Sequence, residues 1–549
     1  MNLKTDAVII GSGPVGMTLA LDLAARGVTV VTVETRAADK APSVKCNHVS
    51  ARTMEIFRRL GLAAEVREAG LPGDYPHDVT YRVTTTGREI ARVPIASRND
   101  RFTPADTGPD ATWPTPEPPH RINQIYLEPI LARHLVRSDR ITAFHRHEAT
   151  GFEADDDGVR VTIRDLDGGA TRTIEAQYLV GCDGGRSPTR KAIGASLSGD
   201  AVIQRVQSTY IRCPGLIGCM SVPPTWAMFS MNPTRSGNVY SIDGRSTWLV
   251  HNYLRDDEPD FDSVDRDACI RAILGIPDDV TYEIIANEDW YGRRLVTDKM
   301  REGRVFICGD AAHLWVPYAG YGMNAGIADA ANLAWMLAGH LNGWAGEAIL
   351  DAHQAERLPI TDQVSRFAMD HCAAMAKQRS AIPDEIDDFG PEADATRARF
   401  GEEVYRLNVQ QYCCGGLNFG YFYDASPIIA YDGASPPGYT METFTSSNVP
   451  GCRAPHLWLA DGRSLYDAMG PNFALLRFDP SVDVGPLVAG AEAVGLPLRV
   501  VDVDTTDPLA SAYTTALTLV RPDQHVAWRG DTMPDDAPAL VDRARGAAR

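Results

Sequence analysis

Three glycines and one acidic residue near the beginning of the chain have the types and spacing of a turn that binds a dinucleotide. Gly11, Gly13 and Gly16 follow the apolar run 7–10 and open a helix-prone stretch, and Glu34 ends the next apolar run. Glycines here let the backbone turn tightly and approach a pyrophosphate, which the helix N-terminus attracts. A carboxylate after the second strand accepts ribose hydroxyls and repels a 2′-phosphate. The motif predicts FAD or NAD, with a ligand-free glycine turn as the alternative.

Two further motifs follow apolar runs in the same way. Residues 181–190 (GCDGGRSPTR) come directly after one run, and residues 309–313 (GDAAH) come directly after another. Asp310 would stand at the carboxyl end of a strand, where an aspartate can hold a polyol hydroxyl. Taken alone, each motif is also typical of a polar turn that leads into a helix, with a side chain such as Asp183 as its cap.

The composition bounds the class of protein. The chain has 549 residues, of which 44% are hydrophobic and 23% charged, as in a globular protein of several domains. Its net charge of −19 disfavours nucleic acid and anionic membranes as partners. Prolines interrupt the uncharged run 213–234, and no secretory signal is visible, so we expect a cytoplasmic protein without a membrane span. The ten cysteines include no Cys-x-x-Cys pair, and no cluster has metal-ligand spacing, so we expect reduced thiols and no metal.

The hydrophobic patterns predict the elements that must position these motifs. Residues 6–34 have the pattern of a β-α-β unit, and residues 52–60 that of a helix ending at Gly61. Alternating apolar and polar positions over about 200–295 favour an inserted antiparallel sheet. The acidic residues 383–394 indicate a solvated linker. Beyond about residue 400, strands alternate with helices, which predicts a separate α/β domain.

The order and spacing of the three motifs resemble those of the class A flavoprotein aromatic monooxygenases, the family of p-hydroxybenzoate hydroxylase and phenol hydroxylase. The resemblance covers about residues 5–375. Residues 453–473 look like the thioredoxin-like third domain of the phenol hydroxylase and 3-(3-hydroxyphenyl)propionate hydroxylase branch. The resemblance as a whole implies an α/β fold of three domains. These are a discontinuous Rossmann-like FAD-binding domain (1–80, 120–195 and 295–375), an inserted antiparallel-sheet substrate domain (81–119 and 196–294) and a thioredoxin-like C-terminal domain (400–549).

The resemblance also implies a set of residues around FAD. Lys45 stands where relatives commonly carry an arginine, and a lysine keeps the charge but loses the planar fork. Gln124 matches a family glutamine near the flavin. The implied FAD-binding residues are Gly11, Gly13, Pro14, Val15, Gly16, Glu34, Lys45, Gln124, Asp183, Asp310, Pro317, Gly320, Gly322, Met323 and Asn324.

The activity that the resemblance implies is hydroxylation of a phenol. FAD would be reduced by NADH or NADPH, react with O₂ to a C4a-hydroperoxide and transfer an oxygen atom to the ring. A base near the phenolic hydroxyl would assist, and His48 and Asn47 are the best-suited groups of their segment. His48 could instead be a structural histidine bonded to a backbone carbonyl.

The inserted sheet is expected to line the substrate pocket, with half of any alternating set pointing away. The predicted substrate-binding residues are Trp226, Met228, His251, Tyr253 and Arg293; Arg293 could instead meet an acidic surface neighbour. We expect a homodimer. The alternatives are a polyketide-like phenol as the substrate, a halogenase, which would show a Trp-x-Trp-x-Ile-Pro motif that this chain lacks, and a non-catalytic flavin-binding protein.

Overall fold

The computed structural model of the protein describes residues 3–315 and 320–547, whose strands form three sheets. The strands are β1 (Leu3–Ile10), β2 (Val30–Glu34), β3 (Val79–Arg82), β4 (Glu89–Val93), β5 (Ile141–His145), β6 (His147–Ala154), β7 (Val159–Asp165), β8 (Thr171–Gly181), β9 (Leu197–Arg212), β10 (Ala227–Ser230), β11 (Gly237–Ser241), β12 (Thr247–Tyr253), β13 (Glu283–Asn287), β14 (Trp290–Thr297), β15 (Arg301–Glu302), β16 (Val305–Ile307), β17 (His313–Leu314), β18 (Phe473–Arg477), β19 (Leu498–Asp502), β20 (Leu517–Val520) and β21 (Val526–Gly530). The α-helices are α1 (Pro14–Ala25), α2 (Ala51–Arg59), α3 (Ala63–Glu68), α4 (Gln124–Arg137), α5 (Pro188–Ala192), α6 (Arg266–Leu274), α7 (Tyr321–Leu341), α8 (Ile349–Ser380), α9 (Pro391–Asn408), α10 (Gly415–Phe419), α11 (Leu465–Met469), α12 (Gly485–Ala493) and α13 (Ala537–Ala544).

The first sheet is a Rossmann-like core, as predicted. Its path is β15-β16-β8-β1-β2-β5, with the antiparallel strands β6 and β7 attached to β8. The five strands from β16 to β5 along this path are all parallel to one another. Ala7, Val8 and Ile9 of β1 are fully buried, as a parallel strand covered on both faces requires. The carboxyl ends of β2, β1, β8 and β16 therefore lie side by side, and the three motifs follow β1, β8 and β16.

The second sheet has the path β17-β14-β9-β12-β11-β10-β3-β4, with β13 also paired to β9. Every pair is antiparallel except β10 and β3. One face packs under α6, where Met228, Trp248 and Ile273 share a hydrophobic cluster. Two strands of this sheet cross predicted domain boundaries by a few residues: β3 begins at Val79, before the boundary at 80/81, and β14 ends at Thr297, after the boundary at 294/295. The division into domains itself stays a prediction.

The third sheet, with the order β19-β18-β20-β21, lies in the C-terminal region. β18 is parallel to β19 and antiparallel to β20, so the sheet is mixed. Leu487 of α12 and Val541 of α13 pack in the same hydrophobic cluster as Leu475 and Leu519 of the sheet. This is the α/β domain predicted beyond residue 400.

The acidic residues of 383–394 are exposed to solvent as predicted, but the stretch is not an irregular linker. The stretch contains a 3₁₀ helix, Asp384–Asp387, and the first turn of α9, and Ile386 is fully buried. Glu392 and Asp394 lie in that first turn, where their negative charges interact favourably with the positive end of the helix dipole. The acidic composition therefore reflects the start of a helix.

A buried network of charges joins the C-terminal domain to α8. Arg521 is fully buried and donates hydrogen bonds of 2.5 and 2.8 Å to the two carboxylate oxygens of Glu356. It also donates to Asp523 at 2.5 Å. Burial lowers the pKa of Arg521, but the two carboxylates outweigh it and hold that pKa well above its usual value. Glu356 in turn accepts a hydrogen bond of 2.7 Å from Asn332 of α7.

A second group of buried charges reinforces this junction. Glu55 of α2 pairs with Arg52 at 2.7 Å and also with Arg453 of the C-terminal region. Arg52 donates further hydrogen bonds to the Asp523 carbonyl and to the Gln524 side chain. The domain is thus fixed by ion pairs that water does not reach.

We expect Arg521→Met to lower the free energy of unfolding by about 3–5 kcal/mol, because two buried carboxylates lose their partner. Urea denaturation followed by circular dichroism measures the loss. Arg477→Met is the matched control, because Arg477 pairs with the exposed Asp502 and such pairs contribute only about 0–1 kcal/mol. Equal losses in the two variants would contradict the importance of the buried network.

Candidate active site

One continuous cavity of about 1450 Å³ runs from the carboxyl ends of the first sheet to a face of the second sheet. It brings together most of the site residues predicted from the sequence. Those that line it are Gly11, Gly13, Pro14, Val15, Glu34, Lys45, Asn47, His48, Gln124, Asp183, Trp226, His251, Tyr253, Asp310, Gly320, Gly322 and Met323.

Four predicted residues do not line this cavity, and one lies outside the described residues. Met228 is fully buried under α6, on the opposite face of the second sheet, because successive residues of a strand point to opposite faces. Arg293 places its guanidinium carbon 5.6 Å from the centre of the Tyr291 ring. Gly16 and Asn324 stand behind the cavity wall. Pro317 belongs to the segment that the structure does not describe.

The glycine turn forms a cradle that only bare backbone could make. Gly11 has a φ of +100°, and a Cβ there would stand 2.3 Å from the carbonyl oxygen of Cys182. A Cβ on Gly16 would stand 2.0 Å from the Gly11 carbonyl oxygen. The third glycine therefore lets α1 pack against the turn, while Gly11 and Gly13 face the cavity. This close approach leaves room for a pyrophosphate at the start of α1.

Glu34 is held at the end of β2 by backbone donors. Its Oε2 accepts a hydrogen bond of 2.8 Å from the Ser12 N–H, and its Oε1 accepts one of 2.9 Å from the Arg36 N–H. Oε1 also accepts a hydrogen bond of 3.3 Å from the Thr35 hydroxyl, whereas Oε2 keeps a second lone pair that can accept a ribose hydroxyl. Arg36 extends to Glu128 of α4 at 2.9 Å, and both line the cavity.

Asp183 turns one carboxylate oxygen towards its own loop. Oδ2 accepts a hydrogen bond of 3.0 Å from the Thr189 N–H at the start of α5. Oδ1 is buried and has no hydrogen-bond partner among the described residues. Since a buried carboxylate oxygen normally has a donor, this atom is suited to a ligand group.

Asp310 opens into the cavity from the loop after β16. Burial raises its pKa, and the nearby His313 and Lys45 oppose that rise. The Lys45 ammonium itself lies 3.9 Å from the Glu288 carboxylate and is largely exposed.

A buried triad supports the loop that carries Asp310. Asp329 of α7 lies 2.7 Å from His313 Nε2 and accepts a hydrogen bond of 2.8 Å from Arg357 of α8. It also accepts one of 3.2 Å from the Gly309 N–H. Burial would raise the pKa of Asp329, but Arg357 and His313 hold it well below its usual value. The triad therefore fixes the backbone next to Asp310.

The segment with Asn47 and His48 crosses the cavity wall and is pinned from two sides. Asn324 donates a hydrogen bond of 3.1 Å to the His48 carbonyl and accepts one of 2.9 Å from the Ser50 N–H. Asn47 accepts a hydrogen bond from Asn123, which caps α4. His48 is 4% exposed. Asn324 thus acts on this segment as a positioning residue.

The second sheet presents aromatic side chains to the cavity. Tyr240 lies between Trp226 and His251, with ring centres 5.4 and 5.8 Å away. Burial lowers the pKa of His251 to about 4. Tyr253 donates a hydrogen bond of 2.5 Å to Asn238, and burial raises its pKa to about 12. Neither His251 nor Tyr253 therefore changes protonation near neutral pH.

The residues present fit FAD. The glycine cradle, the carboxylate of Glu34, the free oxygen of Asp183 and the carboxylate of Asp310 all face one cavity. The cradle matches a pyrophosphate, Glu34 matches a ribose, and the Asp310 carboxylate matches the hydroxyls of a polyol chain. The arrangement can hold a dinucleotide with its far end directed at the aromatic face of the second sheet.

Sequence reasoning missed several residues of the site, including Arg36, Glu128, Asp329 and Arg357. One signal was available for Asp329: a charged residue inside the apolar helix α7 implies a buried partner. Arg36 and Glu128 come from elements far apart in the chain, and no local pattern joins them.

A nucleotide-binding sheet that faces an aromatic pocket defines a flavin-dependent oxygenase of aromatic compounds. The FAD binding domain family matches residues 4–368, and the family of the aromatic-ring hydroxylase C-terminal domain matches residues 447–548. The chain belongs to this family of FAD-dependent aromatic-ring monooxygenases. It is an FAD-dependent enzyme that hydroxylates an aromatic substrate with O₂ and NADH or NADPH.

Known relatives cover the whole chain. It is 34% identical to the rebeccamycin biosynthetic enzyme RebC, whose structure with reduced flavin has a TM-score of 0.89, with 100% of each chain covered. It is 30% identical to the tetracenomycin B2 monooxygenase-dioxygenase of Streptomyces olivaceus, covering 98% of each chain. It is 28% identical to the phenol 2-monooxygenase of Pseudomonas sp. (strain EST1001), covering 99% of this chain and 93% of that one.

No helix in residues 3–315 and 320–547 is long and apolar enough to cross a membrane. Within the same ranges, no group of three or more His, Cys, Asp or Glu side chains is placed to hold a metal ion.

We expect Asp310→Asn to weaken FAD binding by about 10- to 150-fold, because a charge-assisted hydrogen bond that the carboxylate would accept from the ribityl (polyol) chain of FAD would contribute about 1.5–3 kcal/mol. Equilibrium dialysis of the purified enzyme measures FAD affinity. Asp298→Asn is the control, because Asp298 accepts only from the Ser196 N–H outside the cavity. Unchanged FAD affinity in Asp310→Asn would remove Asp310 from the ribityl site.

Proposed function

We propose that the enzyme hydroxylates a phenol of several fused rings, which lies between the flavin and the aromatic face of the second sheet. The observation that carries the proposal is the size and continuity of the cavity. Its volume of about 1450 Å³ exceeds the roughly 300–1000 Å³ typical of a site for one small molecule. A cavity of this size has room for a second molecule beside FAD.

The kind of lining supports the same substrate class. Trp226, Tyr240, His251 and Trp290 follow one another with ring centres 5.4–6.0 Å apart. Neighbouring aromatic rings at such distances offer edges and faces to a planar polycyclic ligand. The Streptomyces olivaceus relative is named for tetracenomycin B2, which agrees with a polyketide-like phenol.

The residues of the chain position the reactants and exclude water. We propose that Gly11, Glu34, Asp183 and Asp310 hold FAD, together with the other predicted residues that line the cavity. When bound, FAD would supply the hydride acceptor for NADH or NADPH and the activation of O₂ for transfer to the ring. The segment of Asn47 and His48, which lines the cavity, would orient the substrate hydroxyl.

We propose His48 as the acceptor of the phenolic proton. It lines the cavity on the segment that Asn324 and Asn123 pin in place, so its position is fixed. His251 has a pKa of about 4 and is a weak base, and Tyr253 keeps its proton at neutral pH. Loss of the phenolic proton makes the ring richer in electrons. The ring carbon then attacks the oxygen atom derived from O₂ more readily.

A simple phenol is the second candidate substrate. The Pseudomonas relative is named a phenol 2-monooxygenase, and one ring would fill only part of the aromatic end of the cavity. We also propose a homodimer and a cytoplasmic location, both of which rest on the sequence reasoning alone. Gel filtration with light scattering tests the oligomeric state.

We expect ¹⁸O from ¹⁸O₂ to appear in the product hydroxyl. Simple phenols and polycyclic phenols are first screened for those that accelerate NADH or NADPH oxidation, and mass spectrometry then locates the label. Label from water would contradict a monooxygenase. Hydrogen peroxide release without a hydroxylated product, across the whole screen, would contradict the proposed substrate class.

We expect His48→Ala to bind FAD normally and to lower the hydroxylation rate by about 10²–10⁴-fold, which is typical of losing a positioned base. Stopped-flow product formation measures the rate. The loss should shrink with phenols that are already ionised at the assay pH. His134→Ala is the control, because His134 lies on α4 against Glu65, outside the cavity lining. An unchanged rate in His48→Ala would place the proton acceptor elsewhere.

A further inference from the structure

An arginine at the aromatic end of the cavity lacks a strong hydrogen-bond acceptor. Arg121 lines the cavity and is 2% exposed. Its Nη2 lies 3.5 Å from the Tyr412 carbonyl oxygen, longer than the roughly 2.7–3.2 Å of an ordinary hydrogen bond. Its Nη1 is buried and has no hydrogen-bond partner in the described parts of the chain. A guanidinium carries five N–H donors, so most of the bonding capacity of this group is unused.

The nearest carboxylate, that of Asp110, pairs with another arginine through Oδ2, and its Oδ1 is buried without a hydrogen-bond partner among the described residues. Asp110 lies 3.8 Å from Arg121, which is an ion-pair distance without a hydrogen bond. The same Oδ2 of Asp110 accepts a hydrogen bond of 3.0 Å from Arg101, and the Asp110 carbonyl accepts another of 3.0 Å. Arg121 therefore keeps a buried charge without the close acceptor that buried charges normally have.

The position of Arg121 is fixed where the flavin side and the substrate side of the cavity meet. Its neighbour His120 exchanges two backbone hydrogen bonds of 2.9 Å with Val49, next to His48. On the other side, the guanidinium carbon lies 4.8 Å from the centre of the Trp226 ring. This stacking orients the plane of the guanidinium but supplies no acceptor for its N–H groups.

We propose that Arg121 binds an anionic oxygen of the aromatic substrate, and so makes the enzyme selective for anionic aromatic compounds. The inference rests on the proposed function and names the chemistry of its substrate. A carboxylate on the ring and an ionised hydroxyl both provide such an oxygen. Either oxygen can accept hydrogen bonds from the buried N–H groups of Arg121 at less than the 3.5 Å that separates Nη2 from the Tyr412 carbonyl. A neutral ring leaves these N–H groups without a close acceptor.

Two pairs of probes distinguish these two sources of the anionic oxygen. The first pair is 3-hydroxy-2-naphthoate and its amide, which differ in the carboxylate. The second pair is 2-naphthol and a nitro-substituted naphthol that is ionised at the assay pH. Isothermal titration calorimetry on the FAD-loaded enzyme measures binding without turnover, so a failure here is separate from a failure of hydroxylation.

We expect the wild-type enzyme to bind the anionic member of at least one pair about 10- to 150-fold more tightly than the neutral member, as for a charge-assisted hydrogen bond. Preference within the first pair identifies a carboxylate, and preference within the second identifies a phenolate. Arg121→Met should abolish the preference, and Arg121→Lys should keep part of it, because lysine keeps the charge without the fork. Arg212→Met is the control, because Arg212 pairs with the exposed Glu283 outside the cavity lining, and it should leave the preference unchanged.

A wild-type enzyme without preference for either anionic probe overturns the proposal, whatever the variants do. A preference that survives in Arg121→Met also overturns it. If Arg121→Met does not fold, the wild-type comparison and Arg121→Lys still decide. Binding preference without any hydroxylated product would contradict the proposed function and leave the role of Arg121 standing.

Discussion

A chain of buried polar contacts fixes the loop after β16 relative to the C-terminal domain, and the geometry of the cavity depends on it. Arg521 binds Glu356, Glu356 binds Asn332, and His353 lies 2.8 Å from Asn332 on one side and 4.0 Å from Cys308 on the other. Cys308 directly precedes the loop of Asp310. Such groups are stable in the interior only when each has its partner, so the network tolerates one arrangement of α7, α8 and the C-terminal domain.

This constraint gives the C-terminal region a role although, of its described residues beyond 400, only Gln411 and Tyr412 line the cavity. The contacts of Arg521 with α8 and of Arg453 with Glu55 hold α2, α7 and α8 together. Helix α2 follows the segment of Asn47 and His48, which lines the cavity, and α7 follows the loop that carries Asp310. All ten cysteines of the chain are free, and burial raises the pKa of the Cys414 thiol to about 11. A thiol with such a pKa is a poor nucleophile at neutral pH, so a structural role for this region agrees with its chemistry.

The sequence predicts the cofactor side of the site better than the substrate side, for a physical reason. The turn of Gly11 and the acid Glu34 act through backbone geometry that a few neighbouring residues determine, so their spacing reveals them. Met228 was placed in the pocket, but the strand β10 turns Phe229 to the cavity and Met228 to α6. The face that a strand residue takes depends on the register of its neighbours, which distant parts of the chain set. Arg121 was missed for the same reason, because Trp226 and Tyr412 reach it from far along the chain.

The two ends of the cavity therefore differ in what determines them. At the flavin end, N–H groups of Ser12 and Arg36 hold Glu34, and backbone contacts leave little freedom for change. At the aromatic end, selectivity depends on side chains, which can change without disturbing the sheet that carries them. Relatives named for a simple phenol and for tetracenomycin B2 can thus share one fold and one cofactor. In this chain Arg121 places a buried guanidinium beside the Trp226 ring at that end, and its proposed role is to separate anionic from neutral substrates of similar shape.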